Sequence, residues 1–213
     1  MTYPQLPVTR TLLSRAVFIT ETVLLTVLIT VGLQSFVAQP YRVEHVSMLD
    51  TLQDGQMILV DKLTPRVAGY GRGDIVLFRP PSGVEDDDTP FIKRLIGLPG
   101  ETIDLVGGRV LVDGVPLDES AYLYQDQPTE PTGTHSHWLV PAGMFFVLGD
   151  HRADSTDSRS DVLGPIAASS VIGRAVLRYW PLSALTLLAD PAYPELTTGQ
   201  ASGSDTQRSM LRP

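Results

Sequence analysis

The chain contains no cysteine, has more acidic than basic side chains, and shows no amphipathic helical pattern after its first forty residues. The absence of cysteine excludes disulfide scaffolds, thiolate metal sites and a cysteine nucleophile. Lysine and arginine total 16 against 24 aspartate and glutamate residues, which gives a net charge of −8. A nucleic-acid partner is therefore not expected, because phosphate binding needs clustered basic side chains.

One long apolar run stands out against this composition, at residues 16–38. At ~1.5 Å per helical residue it is long enough to cross a hydrocarbon core of ~30 Å. Arg10 and Arg15 precede it without any acidic residue, which predicts a cytoplasmic N-terminus over residues 1–15 and an extracytoplasmic remainder. A cleavable signal peptide is the alternative, but the run is too long and Phe36 and Val37 make a poor cleavage site. We expect an uncleaved transmembrane anchor.

Beyond the anchor, short apolar segments alternate with turn signals and predict β-structure. Asp113 and Gly114 form the strongest hairpin signal. These patterns predict a mainly β domain over residues 39–190, with a surface excursion at about 113–140. Residues 191–213 are predicted to form a disordered tail, most clearly from residue 197 onward. The candidate strands are residues 57–60, 74–78, 109–112, 143–148 and 171–177.

Three segments carry candidate chemistry: residues 45–52 (HVSMLDTL), 91–94 (FIKR) and 148–159 (LGDHRADSTDSR). A serine hydroxyl such as that of Ser47 is a poor nucleophile until a base removes its proton. Lys93 is the strongest candidate base. Its neighbours Phe91 and Ile92, together with Met48, could form an apolar wall, and burial lowers the pKa of a lysine by disfavouring the ammonium.

In this order, and behind an apolar N-terminal helix, the three segments resemble those of bacterial type I signal peptidases, a family of Ser/Lys-dyad peptidases. The resemblance covers roughly residues 39–181. It implies antiparallel sheets forming a partial barrel behind one transmembrane helix. It also implies a plasma-membrane serine endopeptidase that removes signal peptides from exported preproteins. No metal or organic cofactor is implied, and the expected partners are preproteins, membrane lipid and export machinery.

The resemblance also assigns roles to individual residues. Ser47 would be the nucleophile and Lys93 the general base, with the two side chains meeting on adjacent strands. Ser155 would hydrogen-bond Lys93 and orient it. Supporting positions are an ion pair between Asp157 and Arg159, and Arg94 paired with a carboxylate of the same loop. By similarity to the family, the shallow pockets for small substrate residues would be lined by Val43, Met48, Leu52, Phe91 and Ile92.

The sequence departs from the family pattern around the nucleophile and in the third segment. Asp50 replaces a proline, and a carboxylate at ~8 Å would favour the lysine ammonium by about 2 kcal/mol at an effective dielectric of ~20. His45 replaces a small residue that helps to build the oxyanion hole, where losing one donor costs about 2.7–4 kcal/mol. His151 and Ala153 replace asparagine and aspartate, which predicts that part of the loop's hydrogen-bond network is missing.

Two alternatives follow from these departures and from the fold. The first is a weakened or inactive paralogue that binds preproteins in the cell envelope without cleaving them. The second is another Ser/Lys peptidase of the same β fold, such as a self-cleaving repressor or a conjugation-pilus maturation enzyme. A repressor would need a DNA-binding domain, and the first forty residues hold the apolar run instead.

Overall fold

The computed structural model describes residues 8–84, 89–194 and 196, and begins with a long helix, α1 (Val8–Phe36). Within α1, Ser14–Gly32 is long and apolar enough to cross a membrane, with a mean hydropathy of 1.7 and no part of it buried. The predicted anchor extended to residue 38, but Ala38 belongs to the first strand. Of the N-terminal segment predicted to be cytoplasmic, residues 1–7 lie outside the described residues.

The rest of the described chain is mostly β-structure, with one further short α-helix, α2 (Thr64–Ala68). Four single-turn 3₁₀ helices connect some of the strands. The strands are β1 (Ala38–Arg42), β2 (Met57–Asp61), β3 (Ile75–Phe78), β4 (Phe91–Gly97), β5 (Thr102–Val106), β6 (Arg109–Val112), β7 (Val115–Pro116), β8 (His137–Leu139), β9 (Met144–Leu148), β10 (Ile166–Ala167), β11 (Val171–Trp180) and β12 (Thr186–Leu187).

Within the described residues the strands form two antiparallel sheets. The larger has the order β1-β2-β11-β3-β4-β9-β10, with β12 paired to β11, and the smaller has the order β7-β6-β5-β8. The prediction of a mainly β, antiparallel fold is therefore confirmed. The five predicted strand segments correspond to β2, β3, β6, β9 and β11.

The hairpin between β6 and β7 shows how local sequence sets register. Asp113 has φ 51° and Gly114 has φ 79°, so both central residues of the turn are left-handed, as a type I′ turn requires. The turn pairs Val112 with Val115 and Leu111 with Pro116. Aspartate and glycine tolerate these φ values better than most residues, which explains why the sequence signal was reliable here.

Strand β4 lies inside the larger sheet, between β3 and β9, and all seven of its residues are buried. Successive side chains of a strand point to opposite faces. Phe91 and Leu95 accordingly pack into one hydrophobic cluster, whereas Ile92 and Ile96 join two others. The centre of this apolar strand carries two adjacent cations, at positions 93 and 94.

The predicted surface excursion at about 113–140 contains two strands of the smaller sheet, β7 and β8, and most of its residues are exposed. The smaller sheet itself begins earlier, at Thr102, and it covers a hydrophobic cluster of its own. Tyr122 and Val140 are members of that cluster and are buried. The segment looked like a loop because its prolines and polar residues interrupt every alternating pattern, although several of its apolar side chains, such as Leu117, Tyr122 and Val140, are buried.

The predicted tail also starts later than residue 191. Tyr193 packs against the cluster of the smaller sheet and donates a hydrogen bond to the Tyr122 hydroxyl at 3.2 Å. Pro191 and Tyr193 approach Gly73 so closely that a Cβ there would meet both. The residues from 191 to 194 are therefore an ordered, packed part of the domain, and residues 195 and 197–213 lie outside the described residues.

Candidate active site

Ser47 lies in the turn-rich connection between β1 and β2. The turn is closed by the Leu52 N–H, which donates to the Met48 carbonyl at 2.7 Å, and by the Leu49 N–H, which donates to the Val46 carbonyl at 3.2 Å. Met48 and Leu52 are 2% and 0% exposed and hold the turn against the core. Ser47 is left half-buried at the surface of that turn.

Lys93 occupies the middle of β4, opposite Val76 of β3. Its side chain is 5% exposed, and its Nζ lies 2.8 Å from Ser47 Oγ. The same Nζ lies 5.1 Å from the ring centroid of Phe91. The two predicted dyad residues are thus in hydrogen-bond contact, but not on adjacent strands as expected. Ser47 is in a turn, and the strands flanking β4 are β3 and β9.

Ser47 and Lys93 face a shared cavity of about 140 Å³. Of the five residues predicted to line substrate pockets, Phe91 and Ile92 border this cavity. The other three, Val43, Met48 and Leu52, are at most 2% exposed and pack inside the core. In this structure those three pack beneath the turn of residues 46–52, the candidate nucleophile turn, and do not line the cavity. The lining residues are Glu44, His45, Ser47, Thr89, Pro90, Phe91, Ile92, Lys93, Asp154 and Thr156.

The loop of residues 149–159 packs directly against the nucleophile turn. Gly149 makes this approach possible, because a Cβ at this position would lie 2.6 Å from the Ser47 carbonyl oxygen and 2.6 Å from Ser155 Cβ. The Ser155 hydroxyl is buried and has no hydrogen-bond partner among the residues that the structure describes. The predicted hydrogen bond from Ser155 to Lys93 is therefore not formed in this structure, and a role for Ser155 in orienting Lys93 stays a prediction.

Two buried ion pairs fix the ends of this loop. Asp157 accepts from Arg159 Nε at 2.8 Å and Nη2 at 2.9 Å, and it also accepts the Gly149 N–H at 3.1 Å. Arg94 reaches Asp150 with both ends of its guanidinium, Nε to Oδ1 at 2.8 Å and Nη2 to Oδ2 at 2.7 Å. The loop carboxylate expected to pair with Arg94 is therefore Asp150.

A third buried ion pair lay outside the sequence prediction. Arg152 Nη2 donates to Glu119 Oε1 at 2.6 Å, and the Arg152 side chain is fully buried. Burial by itself would lower the pKa of Arg152, but the Glu119 carboxylate outweighs it and the pKa is raised above its ordinary value. Glu119 belongs to the segment predicted as a surface excursion, so no sequence signal placed it next to the loop.

The residues that depart from the family pattern take distinct positions. Asp50 is exposed and borders a different cavity, of about 390 Å³, rather than the one that Ser47 and Lys93 share. His45 does border the shared cavity, with a left-handed φ of 74° and its backbone N–H donating to Asp54 Oδ1 at 3.2 Å. The carboxylate introduced at position 50 therefore does not face the candidate active site.

The expected gap in the hydrogen-bond network of the 149–159 loop is only partly present. Ala153 has no side chain to contribute, although its N–H donates to Gln127 Oε1 at 3.1 Å. His151, by contrast, contacts the nucleophile turn through both its backbone and its ring. The prediction for His151 was wrong because a histidine ring nitrogen can replace an asparagine amide as a hydrogen-bond donor.

Comparison with known proteins gives consistent matches. A family model described as "Signal peptidase, peptidase S26" matches residues 16–180. Signal peptidase I of Leptolyngbya laminosa is 39% identical over 175 residues, which cover 80% of this chain and 83% of that protein. Signal peptidase I T of Bacillus subtilis (strain 168) is 32% identical over 168 residues, which cover 76% of this chain and 84% of that protein.

Among solved structures, a crystal structure of a signal peptidase I from Enterococcus faecalis V583 aligns with 32% identity and a TM-score of 0.39. The alignment covers 49% of this chain and 95% of that chain. The range matched by the family model contains the nucleophile turn, strand β4 and the 149–159 loop.

Proposed function

The chain belongs to the signal peptidase family, peptidase S26, and we propose that Ser47 and Lys93 form the dyad with which it cleaves signal peptides. One observation carries the proposal: Ser47 Oγ and Lys93 Nζ lie 2.8 Å apart while the lysine is almost fully buried. Burial disfavours the ammonium form of a lysine. A neutral amine at this distance is positioned to take the hydroxyl proton.

The chemical steps follow from that geometry. As Ser47 Oγ attacks the scissile carbonyl carbon, its proton passes to Lys93 Nζ, which becomes an ammonium. The ammonium then gives this proton to the leaving amine as the peptide bond breaks, leaving an acyl-enzyme. Lys93, neutral again, takes a proton from the water that attacks the ester, and returns it to Ser47 Oγ when the new carboxylic product leaves.

The tetrahedral intermediate carries an oxyanion that needs hydrogen-bond donors. The backbone N–H of Ser47 is one candidate, since it donates to no group that the structure describes. The ring of His45 is the second candidate, because His45 borders the same cavity. Asp50 is exposed and borders a different cavity, so its carboxylate gives less support to a weakened or inactive paralogue than the sequence suggested.

We further propose that α1 anchors the protein in the plasma membrane, with the catalytic domain on the extracytoplasmic side. Side chains from residue 14 to residue 31 are exposed, as they would be against lipid. The hydroxyls of Thr20, Thr22 and Thr26 each donate to the carbonyl four residues earlier, at 2.8 to 3.0 Å, so they need no water partner. The bilayer then holds the cavity close to the site where an exported preprotein emerges, and lipid and export machinery are its expected neighbours.

The test uses the purified full-length chain in detergent and a preprotein whose signal peptide ends in Ala-x-Ala. The wild type should cleave after the final alanine, as shown by the N-terminal sequence of the product. Ser47→Ala and Lys93→Ala should each lower kcat by at least ~10³-fold. Lys62 is the only other lysine, and it donates to Gln39 Oε1 at 2.9 Å outside the cavity, so Lys62→Ala is the matched control and should retain activity.

The outcomes separate the candidate functions. Cleavage that survives in Ser47→Ala or Lys93→Ala would overturn the dyad. Binding of the preprotein by a wild type that does not cleave it would instead support the envelope binding protein. Cleavage at the expected bond, lost in both dyad variants and kept in Lys62→Ala, would establish the Ser/Lys assignment.

A further inference from the structure

His151 contacts the nucleophile turn at two adjacent peptide groups. Its backbone N–H donates to the Ser47 carbonyl at 3.0 Å. Its ring Nδ1 lies 3.2 Å from the Val46 carbonyl oxygen. A carbonyl can only accept, so Nδ1 must carry the proton in this contact. One residue of the 149–159 loop thus holds the carbonyl groups on both sides of the Ser47 backbone.

The contact to the Val46 carbonyl also fixes the direction of the Ser47 N–H. The Val46 carbonyl and the Ser47 N–H belong to the same peptide group, which is planar and trans. In a trans peptide the C=O and N–H bonds point in opposite directions. Holding the Val46 oxygen toward His151 therefore directs the Ser47 N–H away from His151, and this N–H donates to no group in the described part of the chain.

The Leu49 N–H also donates to the Val46 carbonyl, at 3.2 Å, but that bond lies within the turn and moves with it. His151 differs because it is fixed to another part of the protein. Its ring packs on Tyr124 with centroids 4.5 Å apart, and the Tyr124 N–H donates to the carbonyl of Asp150 at 3.1 Å. Asp150 is held in turn by the buried guanidinium of Arg94. His151 therefore ties the orientation of the turn to the rigid core.

We propose that His151 is a positioning residue that orients the Ser47 N–H as the oxyanion donor, an inference that rests on the dyad proposed above. His151 is not among the residues that line the cavity of Ser47 and Lys93. It acts through the Val46–Ser47 peptide group, whose orientation decides whether an amide proton or a carbonyl oxygen faces the intermediate. The effect belongs to the transition state, so it should appear in kcat and not in KM.

Two substitutions distinguish the hydrogen bond that the His151 ring donates from the packing of that ring on Tyr124. His151→Phe keeps an aromatic ring against Tyr124 but cannot donate to Val46. His151→Asn loses the ring but places an amide nitrogen where Nδ1 stood. We expect kcat for the Ala-x-Ala preprotein to fall about 10- to 100-fold in His151→Phe, somewhat less than the loss of a whole oxyanion donor. KM should stay within about twofold, and His151→Asn should recover kcat to within about threefold of the wild type.

A peptide aldehyde ending in alanine supplies a second readout, because it forms a tetrahedral adduct with the serine. Its inhibition constant should weaken in His151→Phe by the same factor as kcat/KM, and should recover in His151→Asn. A His151→Phe enzyme with wild-type kcat would overturn the inference. So would equal losses in both variants, or a fall in kcat accompanied by a matching fall in thermal stability. A failure of the dyad itself would be recognised separately, by a wild type that does not cleave.

Discussion

Lys93 and Arg94 are neighbours on the same buried strand, yet their surroundings differ completely. Lys93 Nζ lies over the Phe91 ring and reaches the hydroxyl of Ser47 at the cavity that both residues border. Arg94 points to the opposite face of β4, where Asp150 engages two of its nitrogens and the Tyr122 ring packs 4.1 Å from its central carbon. The alternation of a β-strand places two basic side chains that are adjacent in sequence in two different chemical environments.

The environment sets the charge of each side chain. Burial acts to lower the pKa of Arg94, but the Asp150 carboxylate outweighs this and raises the pKa above its ordinary value. Arg94 is therefore a permanent cation with a structural role. Lys93 is also almost fully buried, and burial disfavours its ammonium form, as the general base proposed above requires. One strand thus carries a fixed cation next to the candidate base.

The largest effect expected from this comparison is on stability, when Arg94 is replaced. Arg94→Met leaves the Asp150 carboxylate buried without its counter-ion, which costs about 3–5 kcal/mol of unfolding free energy. Lys93→Met is a swap of similar volume in the neighbouring position and should change stability by less than about 1.5 kcal/mol while abolishing cleavage. Denaturant unfolding of the two variants, with activity measured in parallel, checks this separation of roles.

Arg109 supplies the matched control, since it is exposed on β6, and Arg109→Met should leave stability within about 0.5 kcal/mol of the wild type. Adding Asp150→Asn to Arg94→Met should cost less than the sum of the two single changes, because the charge that was left uncompensated is then removed. Equal destabilisation by Lys93→Met and Arg94→Met would show that the two side chains do not differ in their structural roles.

The sequence predicted the strands that follow local rules and missed the contacts that do not. Strands β2, β3, β6, β9 and β11 were found because short apolar runs lie between turn signals. Strands β7 and β8 fall in the segment predicted as a surface excursion and were missed. The same segment contains Glu119, which looks like a surface residue in the sequence but forms a long-range buried ion pair with Arg152. Hydropathy along the chain carries no information about such pairing.

At the candidate site, too, the sequence could not predict long-range contacts. Ser47 and Lys93 were identified through family resemblance, because their 46-residue separation has no geometric meaning in sequence. The partner of Arg94 was expected in the 149–159 loop, but the choice of Asp150 among that loop's three aspartates depends on how the loop folds back. The contribution of His151 was missed since replacing asparagine with histidine looked like a loss of hydrogen bonding.

The second prediction concerns Gly149, which lies between the Arg94–Asp150 ion pair and the Ser47 turn. Its neighbour Asp150 faces Arg94, while Gly149 itself touches the Ser47 carbonyl and Ser155. In Gly149→Ala the new Cβ would meet both at 2.6 Å, so the nucleophile turn must shift, at a cost of about 1–3 kcal/mol. We expect cleavage to fall by more than stability alone explains, measured as kcat on protein that is still fully folded.

Gly71 is the control for this change. A Cβ at Gly71 would have no heavy atom within 4 Å, and its backbone is not left-handed. Gly71→Ala should therefore leave both stability and kcat close to those of the wild type. If Gly149→Ala lost stability but kept a normal kcat, the packing of the loop against the turn would be structural only, and the two faces of β4 would be less closely coupled than we infer.

The smallest expected effect concerns the stability contribution of Asp190, whose charge is only partly buried. Asp190 is half-exposed, and Arg174 Nη1 lies 3.5 Å from its Oδ2 and 3.1 Å from Asp74 Oδ1. Burial raises the pKa of Asp190, the nearby Asp74 carboxylate raises it further, and the positive charges of Arg174 and Arg94 oppose both. The charge of Arg94 therefore acts on the pKa of Asp190 as well as on its direct partner Asp150.

The pH dependence that follows has a definite sign. Because the folded-state pKa of Asp190 is raised, the folded protein holds this proton more tightly than the unfolded chain, and stability falls as pH rises from about 3.9 through the folded pKa. In Asp190→Asn that loss is absent, so the variant should gain stability relative to the wild type across this window, by less than about 1 kcal/mol.

Asp161, whose pKa is lowered by hydrogen bonds from His135 and Thr134, should behave oppositely: Asp161→Asn should lose stability relative to the wild type as pH rises. Urea unfolding at a series of pH values compares the two slopes, and equal signs would show that the positive charges of Arg174 and Arg94 outweigh burial and the Asp74 carboxylate at Asp190.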